Sequence, residues 1–449
     1  MKMKSISIVV FLFFSCSFLC LCDKKQSASQ SPNNTISNDT LLLDRVQRET
    51  VDYFWNGAEP ISGLAPERIH MDGIYEQNDQ DVIASGGSGF GIMAMLVAIE
   101  RGFVTRDDVV TRFEKAINFL EQAERFHGAW PHWIYNTGKP KPFSPKDDAG
   151  DIVETAYVAQ GLLCARQYFK NGNGREKALA GRMDQLWRGI EWDWYRGPNQ
   201  ENVLYWHWSP KYAWQMNFRI EGYNECLITY VLAAASPTHS IPPEVYHEGW
   251  ARSGGIVGNT TKYGRTLVLR HNGAPEYGGP LFWSHYSFLG LDPRNLKDRY
   301  ADYWTHNVNH VMIDYAYCVE NPKKYKGYGP NCWGLTSSYS PAGYRAHKPE
   351  EDLGVITPTA ALSSFPYAPK ECMAALQYFY HDLGDKIIGA HGPYDAFSIQ
   401  DNFYPKKYLA IDQGPIPVMI ENYRSGLLWK LFMSCEEVQD GLTKLGFTY

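Results

Sequence analysis

From Leu41 onward, apolar residues recur at three- and four-residue spacing, the period of a helix with one buried stripe. The spacing predicts helices over 41–57, 88–102, 105–124, 151–169, 175–192, 224–235, 282–291, 302–320, 357–364, 369–383 and 415–437, with a short one over 438–445. Only RTLVLR (265–270) reads as a strand. No GxGxxG follows a strand, strands and helices do not alternate, and no Pro/Ser linker divides the chain after about residue 40. The pattern implies one all-α domain over 41–449. About twelve helices joined by long loops suggest an (α/α)6 toroid, in which inner helices carry cleft-lining loops at one end. A two-domain helical protein split near 237–243 is the alternative.

The loops are long and loaded with rings, Gly and Pro, as in HGAWPHWIYNTGKPKPF (127–143) and YKGYGPNCWGLTSSYSPAGY (325–344). Structureless loops of that length inside a compact domain are usually functional. The first 22 residues have a Lys-containing start and an uncharged apolar run, the pattern of a secretory signal. The run ends at Cys22, with Leu19-x-x-Cys22 a loose lipobox, so a lipoprotein signal is expected with Cys22 acylated and Cys16 the fallback. Residues 23–40 read as a polar, disordered tether. An exported, lipid-anchored protein facing the periplasm or lying on the outer-membrane surface follows from this.

A net charge of -6 offers no general attraction to nucleic acid or anionic lipid. The departure from average composition is aromatic, with 14 Trp, 30 Tyr and 21 Phe, many beside Gly, Pro, His or Asn where a helix interior is excluded. Such rings stack on flat apolar ligand faces. Cys164, Cys226, Cys318, Cys332, Cys372 and Cys435 form no CxxC pair and read mainly as buried small hydrophobes, a Cys318–Cys332 bridge being the alternative.

Asp147-x-x-x-Asp151-x-x-Glu154 puts three carboxylates at i, i+4 and i+7 ahead of an apolar helical run. Like charges on one face repel. A capping box with Asp151 at the N-cap and Glu154 at N3 explains two of them and leaves Asp147 over; capping and substrate contact can coexist. A second candidate is Glu225 in FRIEGYNECLITY (218–230), where Asn224 as N-cap would put it in the first turn, with Glu221 four residues upstream. The helix dipole would favour its anion, and burial among aromatics would raise its pKa toward general-acid use. A third is Asp412, in a Gly/Pro loop before a long helix.

Carboxylates dispersed over several helix starts, with aromatic rings beside them, suit glycosidic bond cleavage: one protonates the leaving oxygen while another activates water or attacks carbon. Trp130, His132, Trp283, His285, Trp333, His391, Tyr394 and Arg424 are candidates for the sugar-binding wall. Ser88 in GGSGFG weakly resembles a nucleophile elbow, but the strand that must precede it is not apparent. No HExxH or other ligand spacing implies a metal, and no phosphate loop is present.

Six stretches together resemble the bacterial glucoamylase-like (α/α)6 proteins, and more closely glycoside hydrolase family 144, the β-1,2-glucanases. They are GGSGFGIMAM (86–95), GAWPHW (128–133), DDAGDIVETAYVAQGLL (147–163), GYNECLI (222–228), YGGPLFWSHYSFLG (277–290) and IDQGPIPVMIENYRSGLLW (411–429). The resemblance implies an (α/α)6 barrel, an anomer-inverting mechanism without a metal or other cofactor, and action on linear β-1,2-glucan or its oligosaccharides. It places the essential acids on Asp147, Asp151, Glu154, Glu225 and Asp412, with Glu225 the expected general acid, Glu221 its rival, and Asp412, Asp147 or Asp151 activating water. A monomer is expected. An exo-acting or different-linkage β-glucan hydrolase, and a non-catalytic glycan-binding lipoprotein, are the competing readings.

Overall fold

Helices that are apolar on every side must sit inside a shell of amphipathic ones, and the chain alternates between the two kinds. The computed structural model describes residues 38–449, so the lipidation sites Cys16 and Cys22 lie outside the described residues. Helix α1 (Asn38–Trp55) is amphipathic, and α2 (Ser85–Glu100) is buried over its whole length to Ala98. Helix α3 (Arg106–Gln122) is amphipathic again, and α4 (Ile152–Phe169) is buried almost throughout. Amphipathic α5 (Gly174–Arg188) precedes the wholly buried α6 (Leu227–Ala235). The alternation continues through an outer π-helical turn at Val245–Trp250 and an inner pair of 3₁₀ turns, Leu281–Ser284 and Tyr286–Leu289. Outer α7 (Tyr303–Glu320), inner α8 (Pro358–Leu362) and outer α9 (Pro369–His381) follow. Short α10 (Gly384–Ile387) and α11 (Ala410–Gln413) lead to inner α12 (Pro415–Arg424). Helix α12 packs on α1, α2 and α8 and closes the ring; α13 (Leu427–Met433) and α14 (Glu436–Lys444) cover α4 and α6. This is the (α/α)6 architecture.

Inner helices α2 and α4 cross through glycine. A Cβ on Gly89 would stand 2.2 Å from the Tyr157 carbonyl, and one on Gly161 2.4 Å from that of Gly89, so both positions require the absence of a side chain.

Several elements differ from expectation, each for a local reason. The polar tract ends earlier than residue 40, because Asn38–Thr40 already form the first turn of α1. Residues 282–291 form two 3₁₀ turns broken at His285 (φ -110°, ψ -57°). The stretch 415–437 is cut by Gly426 in the left-handed region (φ 69°), which aromatic and apolar periodicity alone does not reveal. Arg265–Leu269 is a strand, paired with Val257–Lys262. The other strands among the described residues are two to four residues long, too short for a periodic signal. The six cysteines from Cys164 onward are free and buried, Cys318 and Cys332 included. Ser88 lies inside the first turn of α2 with a strand, Val82–Ala84, before it. Its hydroxyl donates to Ala84 O (2.6 Å) and accepts from Ala65 N (3.2 Å) and is buried, which removes it as a nucleophile.

Candidate active site

Two strand pairings gather the chemistry at the N-terminal ends of α2 and α4. Gly150–Asp151 runs antiparallel to His207–Trp208, setting Asp151 opposite His207, and Val82–Ala84 runs antiparallel to Trp133–Tyr135. Asp151 is the N-cap of α4. Its Oδ1 accepts from Val153 N and Glu154 N, both 2.9 Å, leaving Oδ2 to accept from His132 Nδ1 (2.9 Å) and Trp206 Nε1 (3.1 Å). Cap and cleft are thus served by different oxygens of one carboxylate. Glu154 does not close a capping box. Its Oε2 instead accepts from Gly86 N at the start of α2 (2.7 Å), which ties the two inner helices together.

Asp147 is not on the helical face that its spacing suggests. It sits in a turn bridged to Ser144, five residues before the helix begins, and reaches the cluster through the loop. Repulsion among the acids is met by two histidines. His207 Nδ1 lies 3.1 Å from Asp147 Oδ1, off the line of a hydrogen bond, and 3.9 Å from Asp151 Oδ2; His132 lies 3.9 Å from Asp147 and 4.0 Å from Glu154. Burial works against a charged His132, but Glu154, Asp151 and Asp147 override it and raise the imidazole to about 9. Burial would raise Asp151, yet His207 and His132 hold it below its usual value. Burial, with help from Asp151 and Asp147 and against His132, pushes Glu154 up to about 7.

His132, Asp147 and Asp151 offer ligand atoms all within 4.8 Å of one another, a donor set that could hold a divalent cation. A protonated His132 supplies positive charge at the same place.

Glu225 comes from the segment leading into α6, which packs beside α4. Gly222 (φ 79°) turns the chain, Asn224 Oδ1 accepts from Cys226 N (2.9 Å), and the Glu225 carbonyl accepts from Ser287 Oγ and from Tyr157 OH (3.4 Å). Asn224 therefore caps a turn, and α6 begins three residues later, at Leu227. Burial raises the Glu225 carboxyl to about 7, with the charges of Glu154 and Asp151 adding to it. Glu154 and Glu225 both line a cleft of about 1060 Å³ together with Trp133, Phe143, Trp206 and Tyr286. Rings facing an open groove of that size suit an oligosaccharide.

Asp412 lies just behind the cleft wall, where Ile411 and Leu409 are exposed to the groove. Its carboxyl is 3% exposed and raised well above the usual range, first by burial and then by Asp395 and Glu67.

Residues 217–436 match a family model described as putative glucoamylase. The endo-beta-1,2-glucanase of Chitinophaga pinensis, solved with sophorotriose and glucose, is 63% identical, with a TM-score of 0.91 over 92% of this chain and 99% of that one. The chain belongs to glycoside hydrolase family 144. Another family 144 relative is the exo beta-1,2-glucooligosaccharide sophorohydrolase (non-reducing end) of Parabacteroides distasonis, 43% identical over 94% of this chain and 60% of its own length. The chain thus spans about 60% of the curated relative it matches. A crystal structure described as a putative glucoamylase from Bacteroides caccae is 60% identical, with a TM-score of 0.89 over 91% of this chain and 99% of that one. The endo-beta-1,2-glucanase of Talaromyces funiculosus, at 12% identity and a TM-score of 0.63, shares the fold.

Against this family 144 framework, most of the expected sugar-binding wall turns out to be packing. Trp130 is fully buried, its Nε1 donating to Leu120 O (3.1 Å), and Trp333 is fully buried with Nε1 on Glu371 O (3.3 Å). His285 bonds Ser364 Oγ (2.9 Å) within the core, and Trp283 packs on Gly279 and His271. His391 pairs with Asp52 (3.0 Å), Tyr394 packs against Tyr408, and Arg424 binds Asp44 and Gln47, both at 2.6 Å. Glu221 pairs with Arg219 (2.7 Å), and Glu225 is the member of that couple on the cleft. Of the expected wall, His132 alone lines the groove.

Sequence reasoning missed Glu67, Arg68, Trp133, Phe143, Trp206, His207 and Tyr339. His207 carried one signal, its place among the rings of YWHW, where a two-residue period would send it to the face opposite Trp206 and Trp208.

Proposed function

We propose that the chain hydrolyses β-1,2-glucan or β-1,2-glucooligosaccharides with inversion at the anomeric carbon. The observation that carries this is Glu225, a carboxyl on the cleft raised to about 7 and so able to hold a proton at neutral pH. Glu225 gives that proton to the glycosidic oxygen while water adds to C1 from the other face and yields its own proton on the Asp412 side. Because Asp412 stands behind Ile411, the proton reaches it by a hydrogen-bonded relay. Glu154, on the cleft, binds and orients the sugar beside the acid, with Asp151 and Asp147, held by His132 and His207, behind it.

The linkage assignment is supported by the relatives, whose names specify β-1,2-glucans. Endo action is favoured by the 63% identity to the Chitinophaga enzyme; trimming of disaccharides is the second reading, favoured by the sophorohydrolase. The protein acts as a monomer, exported and held by a lipid on Cys22 at the periplasmic or outer-membrane surface.

The test is to incubate residues 23–449 with linear β-1,2-glucan beside β-1,3-glucan, β-1,4-glucan and starch, with chromatography over time and NMR of the first anomer released. Cleavage of β-1,2-glucan alone, giving mixed sizes early and α-anomeric ends, is expected. One small product throughout marks exo action. Retention of glucan in an affinity gel without turnover would leave a glycan-binding protein instead.

A further inference from the structure

Asp395 enters neither the motifs nor the cleft lining, yet it is 3% exposed and directed at Asp412. It is placed by two main-chain contacts. Its N–H donates to Lys407 O (2.9 Å), on the strand that leads into α11, and its Oδ2 accepts from Tyr339 N (2.7 Å), on the hairpin that covers the cleft. Asp395 Oδ1 and Asp412 Oδ2 are both buried, and neither has a hydrogen-bond partner among the described residues. Each carboxyl acts on the proton affinity of the other, as two acids lying side by side do. Two buried carboxyls so placed can satisfy each other only if one carries a proton, because two carboxylates have no donor between them.

We propose that Asp395 and Asp412 share one proton as a dyad, and that Asp395 is a positioning residue that sets the proton affinity of Asp412 on the base side of the cleft. The assignment rests on the hydrolytic reading of the cleft given above. In turnover the dyad takes one proton from the attacking water and releases it to solvent, while Glu225 is reprotonated, so each cycle is neutral.

The surroundings favour one negative charge over two. Glu67 faces the pair from the strand antiparallel to 407–409, with its carboxylate held by Arg68, which also lies 3.2 Å from Asp79. Tyr344 and Tyr339 come from the hairpin, and Tyr286 from the inner 3₁₀ turn. Lys407 stacks its ammonium over Tyr339 rather than pairing with either acid. Burial and the neighbouring acids raise both carboxyls, Asp395 to about 6. Two adjacent buried carboxyls with no donor between them hold one proton in common, as carboxylate pairs generally do.

The test compares wild type with Asp395→Asn, Asp395→Glu and Asp412→Asn. Asp395→Asn should move the acid limb of the kcat–pH profile by at least one pH unit, since Asp412 then titrates alone and not as half of a pair. It should cut plateau kcat about 10- to 100-fold through a weaker base, and Asp395→Glu should restore the limb. A uniform loss of kcat with the limb in place would make Asp395 merely structural and overturn the proposal. The second readout needs no activity: the infrared difference between wild type and each variant at pH 7 should show the same protonated-carboxyl band lost in Asp395→Asn and in Asp412→Asn. A band lost only in Asp412→Asn overturns sharing. If wild type cuts no glucan, the hydrolytic reading fails while the infrared result still decides the dyad.

Discussion

Replacing Glu225 by Gln should harm catalysis and help stability, and the pH at which each effect appears should be the same. The Glu225 carboxyl has an ordinary value of 4.5 and is held at about 7 by burial and by Glu154 and Asp151. A value raised in the folded state means that the neutral form is the comfortable one. The group costs nothing below pH 4.5, and its penalty grows through about pH 7 and is complete above it. The full displacement corresponds to about 3 kcal/mol, and solvent entering the open cleft reduces it to about 1–2 kcal/mol. Gln keeps the shape and removes the ion. The Glu225→Gln protein should therefore melt with wild type at pH 4.5 and about 1–2 °C above it at pH 8, as a fold of this size returns about 1 °C per kcal/mol. Its kcat on β-1,2-glucan should fall about 10²- to 10⁴-fold, the range for losing a general acid, and the alkaline limb near pH 7 should vanish. Calorimetry from pH 4 to 9 beside reducing-sugar assays reads both. A melting difference that ignores pH, or an alkaline limb that survives in the variant, refutes the assignment.

Four other substitutions separate packing from chemistry. Trp130→Ala should cost about 3–5 kcal/mol by denaturant titration, because a fully buried indole leaves a cavity; Trp133→Ala, on the cleft, should stay within about 1 kcal/mol and raise KM instead. Gly86→Ala would bring a Cβ within 2.4 Å of Glu154 Oε2, so kcat/KM should fall at least about tenfold with a destabilisation of about 1–3 kcal/mol. His132→Gln removes an imidazole raised from 6.5 to about 9 by Glu154, Asp151 and Asp147 against the effect of burial. That stabilisation is complete below pH 6.5 and fades as pH climbs through about 9, so wild type should exceed the variant by about 1–2 kcal/mol at pH 6 and match it near pH 10.

What the sequence discloses divides along physical lines. Inner helices such as α2, α4 and α6 are visible as predominantly apolar runs, and amphipathic α1, α3 and α5 as periodic ones, so the ring can be drawn before any coordinate. Asp151 is visible too, because a cap has a fixed place before an apolar run. The wall of the cleft is not. Trp130 and Trp133 stand three residues apart in one motif, and only the pairing of Trp133–Tyr135 with Val82–Ala84 puts one in the core and the other on the groove. Glu67, Tyr339 and Asp395 come from segments far apart in the chain, joined by contacts that leave no period behind.

The site itself runs against the stability of the fold that holds it. Burial keeps Glu154 and Glu225 near neutrality and holds Asp412 well above the usual carboxylate range, while Asp147 and Asp151 stay close enough to need two histidines between them. Loops alone could not hold such a cluster, since repulsion would spread it. Here Asp151 is fixed by two α4 amides, Glu154 by an α2 amide, and the Glu225 carbonyl by Ser287 and Tyr157. Those amides belong to helices that cross at Gly89 and Gly161, backbone against backbone, so the acids cannot move apart unless the centre of the ring opens. The glycines that permit the crossing thus act on the chemistry from one to two helical turns away, by denying the carboxylates room to relax.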